Sequence, residues 1–193
     1  MSAVGFALAG GASRRMGRDK ALLPWAAGDL LAHALARLRE VVPEVRILSG
    51  SERRYVERGL PVDTDAAPGQ GPIAGLLAGL EAVEGRAAVL LAIDLPLVPA
   101  ALLSRLLELV PAFDAVVPVS ARGPEPLCAA YGPGCLQALR RRVQAGDLGM
   151  TCFWPDVRVR TVEAEEIAEF GPPERIFLNV NAPADYAAAA GPR

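Results

Sequence analysis

The segment Leu8-Ala9-Gly10-Gly11-Ala12-Ser13-Arg14-Arg15-Met16-Gly17-Arg18-Asp19-Lys20 decides how the rest of the chain is read. A short apolar run, residues 4–8, precedes it and has the composition of a first strand. The chain then turns glycine-rich and cationic together. Glycine carries no Cβ, so backbone there can approach a bound group closely. Successive N–H groups in such a turn form a concavity that suits an anion. Arg14, Arg15, Arg18 and Lys20 surround it with positive charge. Strand, glycine turn and cations in that order describe a phosphate cradle. A solvated surface turn would account for the glycines alone, but not for their agreement with the strand and the charge.

Spacing excludes two familiar cradles. A Walker A loop needs Gly, four residues, then Gly-Lys-Ser/Thr. Here five residues separate Gly11 from Gly17, and Arg18 follows. The dinucleotide fingerprint Gly-x-Gly-x-x-Gly is broken by Gly10-Gly11-Ala12.

Outward from the loop, elements alternate. Apolar residues at 30, 31, 34, 35, 38, 41 and 42 recur at helical spacing behind Asp29, a capping residue, and Pro43 ends the pattern. The spacing predicts a helix over 30–42. Strands are predicted over 45–48, 61–65, 87–93, 115–119, 126–131, 157–162 and 175–178. Further helices are predicted over 51–58, 73–84, 100–109, 133–144 and 183–190, with a short one over 149–154. Residues 163–169 read as an acidic, exposed stretch. Gly75 and Gly79 each cost helix 73–84 about 1 kcal/mol against alanine, which points to close approach of that helix to the sheet or a ligand. The run 87–93 is apolar throughout, as in a strand buried on both faces. The pattern predicts an α/β, three-layer, Rossmann-like sandwich with a mostly parallel sheet. All 193 residues are read as one domain.

Bulk properties narrow the classes. Hydrophobic residues make up 52% of the chain, which excludes a disordered segment. A net charge of −2 argues against a general nucleic-acid binder. A membrane span needs about 20 apolar residues, and the most apolar region, 87–103, is interrupted by Asp94, Pro96 and Pro99. No basic-then-apolar leader is read at the N-terminus, so a cytoplasmic location is expected. Cys128, Cys135 and Cys152 have no Cys-x-x-Cys spacing and read as reduced thiols. His33, the one histidine, sits in a helical pattern and reads as structural. A Ser/His/Asp triad and a histidine-rich metal site are both excluded on that count.

Ligands of open α/β sheets bind beyond the carboxyl ends of the strands. The glycine loop, Asp65 and Asp94 all fall there. Asp94 follows the buried run directly and is placed to bind Mg²⁺, which takes one or two carboxylates plus phosphate oxygens and water. A helix cap is the plainer alternative for it. Asp65 precedes Gly71-Pro72-Ile73-Ala74-Gly75, where a helix start presents N–H groups; an ordinary capped loop is the alternative.

From Leu8 to Pro24 the chain resembles the LxGGxSxRMGxDK signature of the molybdenum cofactor guanylyltransferases, within the wider nucleotidyltransferase group. Asp94-Leu95-Pro96-Leu97-Val98-Pro99 is similar to the family's metal-aspartate motif, and residues 71–75 to its GPLAG helix start. Glu125-Pro126-Leu127 and Asn179-Val180-Asn181-Ala182-Pro183-Ala184-Asp185 resemble two further family stretches, with Ala182 at a position usually held by threonine. The resemblance implies catalytic roles for Arg15, Lys20 and Asp94, with Asp94 holding Mg²⁺. It implies nucleotide contacts at Leu8, Ala9, Gly10, Gly11, Lys20, Ser49, Asp65, Gly71 and Asp94. Glu125, Asn179 and Asn181 fall on the second-substrate side. Ser49 departs from the family's asparagine, and residues 149–153 lack an arginine often found there. The implied reaction joins GTP to the terminal phosphate of molybdenum-loaded molybdopterin, giving the guanine dinucleotide and pyrophosphate. GTP and molybdopterin are the implied substrates, with transient contacts to proteins that supply and receive the cofactor. A cytidylyltransferase for the same cofactor is an alternative. Its loop begins LAAG, where this chain has Leu8-Ala9-Gly10-Gly11 with a second glycine in place of alanine, which favours the larger guanine, although residues 146–149 are faintly similar to a motif of those relatives. A sugar-phosphate nucleotidyltransferase and a catalytically silent nucleotide carrier are the other two readings.

Overall fold

The structure, a computed structural model, describes residues 2–10, 19–65, 69–180 and 185. In chain order the elements are β1 (Ala3–Leu8), β2 (Pro24–Trp25), β3 (Gly28–Asp29), α1 (Leu30–Arg39), β4 (Glu44–Leu48), β5 (Val62–Asp63), α2 (Pro72–Ala82), β6 (Ala87–Ala92), α3 (Ala100–Leu109), β7 (Ala115–Ser120), β8 (Gly123–Pro124), β9 (Cys128–Tyr131), α4 (Cys135–Gln144), β10 (Val159–Val162), α5 (Ala164–Ile167) and α6 (Pro173–Ile176). The main sheet runs β10-β7-β9-β6-β1-β4-β5, and β8 pairs with β7. β1 is parallel to both β4 and β6, and β4 to β5. β9, set between β6 and β7, is antiparallel to both, and the short β8 is antiparallel to β7.

Every residue of β6 is buried, and its side chains divide with the period of two that a strand imposes. Val89, Leu91 and Ile93 join Leu31, Leu35 and Leu38 of α1 and Leu102, Leu103 and Leu106 of α3 on one face. Ala88, Leu90 and Ala92 join Ile73, Leu76 and Leu80 of α2 and Ala138 and Leu139 of α4 on the other. The result is the three-layer α/β sandwich with a mostly parallel sheet. Two glycines set the helix-to-sheet spacing. A Cβ at Gly79 would lie 3.0 Å from two ring carbons of Phe6, and one at Gly5 3.0 Å from Val42 of the opposite layer. The glycines of α2 thus reflect close packing on the sheet.

Several elements differ from the sequence reading. Within 51–58 only Val56–Arg58 is helical, as one 3₁₀ turn, because Tyr55 takes a left-handed backbone with φ 65° that interrupts any longer helix. Residues 149–154 form turns leading into a 3₁₀ turn at Trp154–Asp156. The acidic stretch contains α5, whose start is closed by a reciprocal Glu163/Glu166 capping box and whose Ile167 is buried. Residues 175–178 are not a strand: Pro173 opens α6 there, and a proline with its fixed φ suits a first helical turn. The predicted helix 183–190 lies outside the described residues, Asp185 apart. Among the described residues no helix is long and apolar enough to cross a membrane.

Asp114 ties the end of the sheet together. Its carboxylate accepts from the backbone N–H of Arg158 at 2.9 Å and from Arg158 Nε at 3.2 Å. The Arg158 guanidinium, then its backbone N–H, hold the Asp114 carboxyl below the usual carboxylate range. A carboxyl whose pKa is depressed on folding stabilises the fold above its unfolded pKa, about 3.9, and loses that contribution as pH falls through the folded value. Asp114→Asn is therefore expected to unfold at lower urea than the parent at pH 7, with the gap narrowing below about pH 4; an equal gap at pH 7 and pH 3 would refute the linkage. Gly10 gives a second test. A Cβ there would lie 2.7 Å from the backbone nitrogen of Gly50. Gly10→Ala is expected to destabilise by about 1–3 kcal/mol through overpacking, read as a lower urea midpoint.

Candidate active site

The chain runs from β1 outward to β4 and β5, then returns through α2 to β6 on the other side of β1. α1 and α2 lie on opposite faces. The strand order therefore reverses between β1 and β6, and a crevice opens beyond their carboxyl ends, where ligands of open α/β sheets bind. Its floor is backbone. Ala9 N donates to Leu48 O at 2.9 Å, and Ile93 N to Leu8 O at 3.2 Å. Gly10 leaves the sheet pressed against Gly50, a contact that only a residue without Cβ allows.

Lys20 and Asp94 meet across this crevice. The Asp19 side chain accepts from Ala21 N and so caps the 3₁₀ turn Lys20–Leu22. From its first residue, Lys20 Nζ reaches Asp94 Oδ2 at 3.1 Å, with the two side chains 16% and 24% exposed. Asp94 is delivered by β6 and fixed from two further directions. Its carbonyl accepts from Val180 N at 2.9 Å. His33 Nε2 donates to Pro96 O at 2.8 Å, so α1 holds the loop after Asp94. The histidine has the structural task its pattern implied. The Val180 bond also brings Asn179 to this edge.

Asp65 stands at the same edge beyond β5. Its backbone N–H donates to Gly50 O at 2.9 Å, and a Cβ at Gly75 would come 3.3 Å from its Oδ1. Burial raises the Asp65 carboxyl above its ordinary value. Gly71 precedes α2 with φ 71° and ψ −170°, a backbone that L side chains rarely adopt. Ser49 is different. It is 1% exposed, and its hydroxyl donates to Glu52 O at 2.6 Å, so its side chain closes the turn after β4.

At Glu125, which the resemblance assigns to the second substrate, the carboxylate accepts from Ser120 Oγ at 2.7 Å and from Arg122 Nη2 at 3.1 Å. The same Arg122 nitrogen donates to Phe177 O at 2.5 Å. That links the β7–β8 turn to the segment carrying Asn179. Leu8, Ala9, Gly10, Lys20, Ser49, Asp65, Gly71, Asp94, Glu125 and Asn179 are thus all placed. Arg15, Gly11 and Asn181 lie outside the described residues.

The sequence motifs did not point to Arg54 and Tyr55. The Tyr55 hydroxyl lies 3.0 and 2.9 Å from the two carboxylate oxygens of Asp19, and Arg54 packs over the Tyr55 ring at 5.1 Å. A bulky residue in the left-handed region costs about 1–3 kcal/mol, and the Asp19 contact holds Tyr55 there. The only signal in the sequence was Asp19, inside the glycine-loop signature.

The donor chemistry fits a hard divalent cation. Asp94 offers carboxylate oxygen, the ligand type Mg²⁺ prefers. Among the described residues no group of three His, Cys, Asp or Glu side chains converges as a protein-only metal cage. A cation here would complete its shell from phosphate and water, as Mg²⁺ at nucleotide sites does.

The comparisons with known proteins show the family. A family model described as the MobA-like NTP transferase domain matches residues 5–157. A probable molybdenum cofactor guanylyltransferase of Pelotomaculum thermopropionicum is 34% identical over 189 residues, covering 98% of this chain and 92% of that protein. One of the same description from Carboxydothermus hydrogenoformans is 34% identical over 179 residues, covering 93% and 90%. The crystal structure of molybdopterin-guanine dinucleotide biosynthesis protein A from Archaeoglobus fulgidus superposes with a TM-score of 0.83 at 25% identity, covering 96% of both chains. With the glycine loop, the switch-point crevice and the Lys20–Asp94 pair in one chain, these matches make the protein a nucleotidyltransferase of the MobA-like NTP transferase family.

Proposed function

We propose that the chain transfers GMP from GTP to the terminal phosphate of molybdenum-loaded molybdopterin, giving molybdopterin guanine dinucleotide and pyrophosphate. The observation that carries this reading is the Lys20–Asp94 pair, 3.1 Å apart, at the sheet's switch point. Relatives aligned over nearly the whole chain are described as guanylyltransferases for this cofactor. In the reaction an oxygen of the pterin's terminal phosphate attacks the α-phosphorus of GTP. A new P–O bond forms, the bond to the α–β bridging oxygen breaks, and pyrophosphate leaves with that electron pair. Both partners are anions, so the barrier is largely electrostatic and no covalent enzyme intermediate is needed.

Backbone groups of Leu8, Ala9, Gly10 and Gly11 bind base and phosphates. Gly71 and the start of α2 line the crevice opposite, with Asp65 between. Arg15 and Lys20 neutralise the triphosphate and the departing pyrophosphate. Asp94 holds Mg²⁺, which when bound polarises the phosphate oxygens. Glu125, Asn179 and Asn181 face the pterin. Ser49 acts through the turn it closes. The reaction is placed in the cytoplasm, where GTP is made and where Cys128, Cys135 and Cys152 stay reduced; transient contacts with proteins that supply the pterin and receive the product belong to the same reading.

The direct test is pyrophosphate release with Mg²⁺ and molybdenum-loaded molybdopterin, offering GTP and CTP separately. Release with GTP alone is expected, abolished by Asp94→Ala and reduced about 10²–10³-fold by Lys20→Ala, the range for loss of one preorganised charge stabiliser. Release with CTP alone would transfer the reading to a cytidylyltransferase. GTP binding without release, and without Mg²⁺ dependence, would indicate a carrier.

The ion pair yields a prediction that needs no turnover. Lys20 Nζ occupies Asp94 Oδ2, so it competes with a cation for that carboxylate. Mn²⁺, followed by electron paramagnetic resonance, is expected to bind more tightly to Lys20→Ala than to the parent when nucleotide is absent. Asp94→Asn should bind it weakly with or without GTP. Equal Mn²⁺ affinity in all three proteins would move the cation away from Asp94.

A further inference from the structure

Arg54 and Tyr55 join the two ends of the glycine-rich loop. Arg54 Nη2 donates to Ala9 O, before the loop, and Nη1 to Asp19 Oδ2, after it, each at 3.4 Å. One guanidinium therefore spans entry and exit. Each of these bonds is long, but the group is held a third way, over the face of Tyr55. Tyr55 is 5% exposed, and its hydroxyl bridges both oxygens of Asp19 at 3.0 and 2.9 Å. Burial, then the bond to Asp19, raise the phenol well above its ordinary value, so it stays a donor. Asp19 is thereby gripped by the residue 55 hydroxyl, the residue 54 guanidinium and the backbone of Ala21. It is also the residue from which Lys20 departs. The left-handed backbone of Tyr55 is a conformation that persists only where the surroundings over-determine it, and such residues cluster at functional sites.

We infer that Tyr55 and Arg54 are positioning residues for the phosphates of the nucleoside triphosphate: they lock Asp19, close the loop, and fix the backbone from which Lys20 reaches the crevice. The inference rests on the nucleotidyl-transfer reading above. A cation held in place before the substrate arrives stabilises charge without reorganising, whereas one on a loose turn must be ordered in each cycle. The expected effect is confined to the β- and γ-phosphates, which Lys20 serves, and spares the rest of the nucleotide.

The test measures calorimetric binding of Mg²⁺·GTP, GMP and inorganic pyrophosphate to the whole chain, with pyrophosphate-release kinetics alongside. Tyr55→Phe keeps the buried ring and removes only the hydroxyl. It is expected to weaken pyrophosphate and GTP binding about tenfold, the order of one hydrogen bond to a charged group, and to lower kcat, while GMP affinity is retained. Arg54→Gln, on a side chain 33% exposed, should act in the same direction. In a Lys20→Ala background Tyr55→Phe should add no further loss, since the group it positions is gone. Additive losses, or equal weakening of GMP, would make the cluster merely structural and overturn the inference. If the parent protein bound GTP and turned over while Tyr55→Phe matched it, the positioning role alone would fail. If the parent bound neither GTP nor pyrophosphate, the transfer reading would fail and take this inference with it.

Discussion

Strand β1 pairs in parallel with a neighbour on each side, and that arrangement sets the layout of the molecule. In-register pairing with β4 and β6 forces the connecting helices onto opposite faces of the sheet, because consecutive parallel strands need a covering crossover. α1 covers one face and α2 the other. Their divergence leaves the carboxyl ends of β1 and β6 uncovered. Beyond those two ends the chain places a glycine-rich cationic sequence after β1 and an aspartate after β6.

The second layer of organisation is electrostatic. Lys20 and Asp94 are 74 residues apart in sequence and largely withdrawn from water, at 16% and 24% exposure. Withdrawal strengthens the attraction between them but costs hydration of both charges, so such a pair is weak evidence for stability. What the pair does place is two opposite charges, largely withdrawn from water, at the switch point of the sheet. The fixed contacts around it are of another kind. Val180 N on Asp94 O and His33 on Pro96 O hold backbone in place, and Tyr55 holds the Asp19 carboxylate that caps the turn carrying Lys20.

The three layers and the strand at 87–92 were legible because burial on two faces writes an unbroken apolar run, and a helix against a sheet writes a 3.6-residue stripe. Asp94 was legible for the same reason, as the first charge after that run. The misreadings have one source. At 51–58 and 175–178 the segments are short and apolar periodicity has few positions on which to act, so a single backbone preference decides the outcome: a left-handed Tyr55 in one case, Pro173 at a helix start in the other. Ser49 shows a different limit. Its residue type fits a ligand contact, but whether a hydroxyl faces a crevice or the next turn is set by tertiary packing, and here it bonds Glu52 O.

That local choice bears on how the crevice is lined. With the Ser49 hydroxyl turned to Glu52 and Gly10 pressed onto Gly50, the exits of β1 and β4 meet backbone to backbone with no side chain between them. What that point presents is main chain held in place by the hydrogen bonds of the strands. Side-chain influence enters one step further out, through Arg54, which touches Ala9 O and Asp19 together. Main chain fixed by the sheet therefore forms one side of the switch point, while Lys20, delivered from a pinned turn, reaches it from the other. The sheet supplies the first by its hydrogen bonding alone. The second requires the cluster at Asp19, because a lysine on a loop has no strand to hold it.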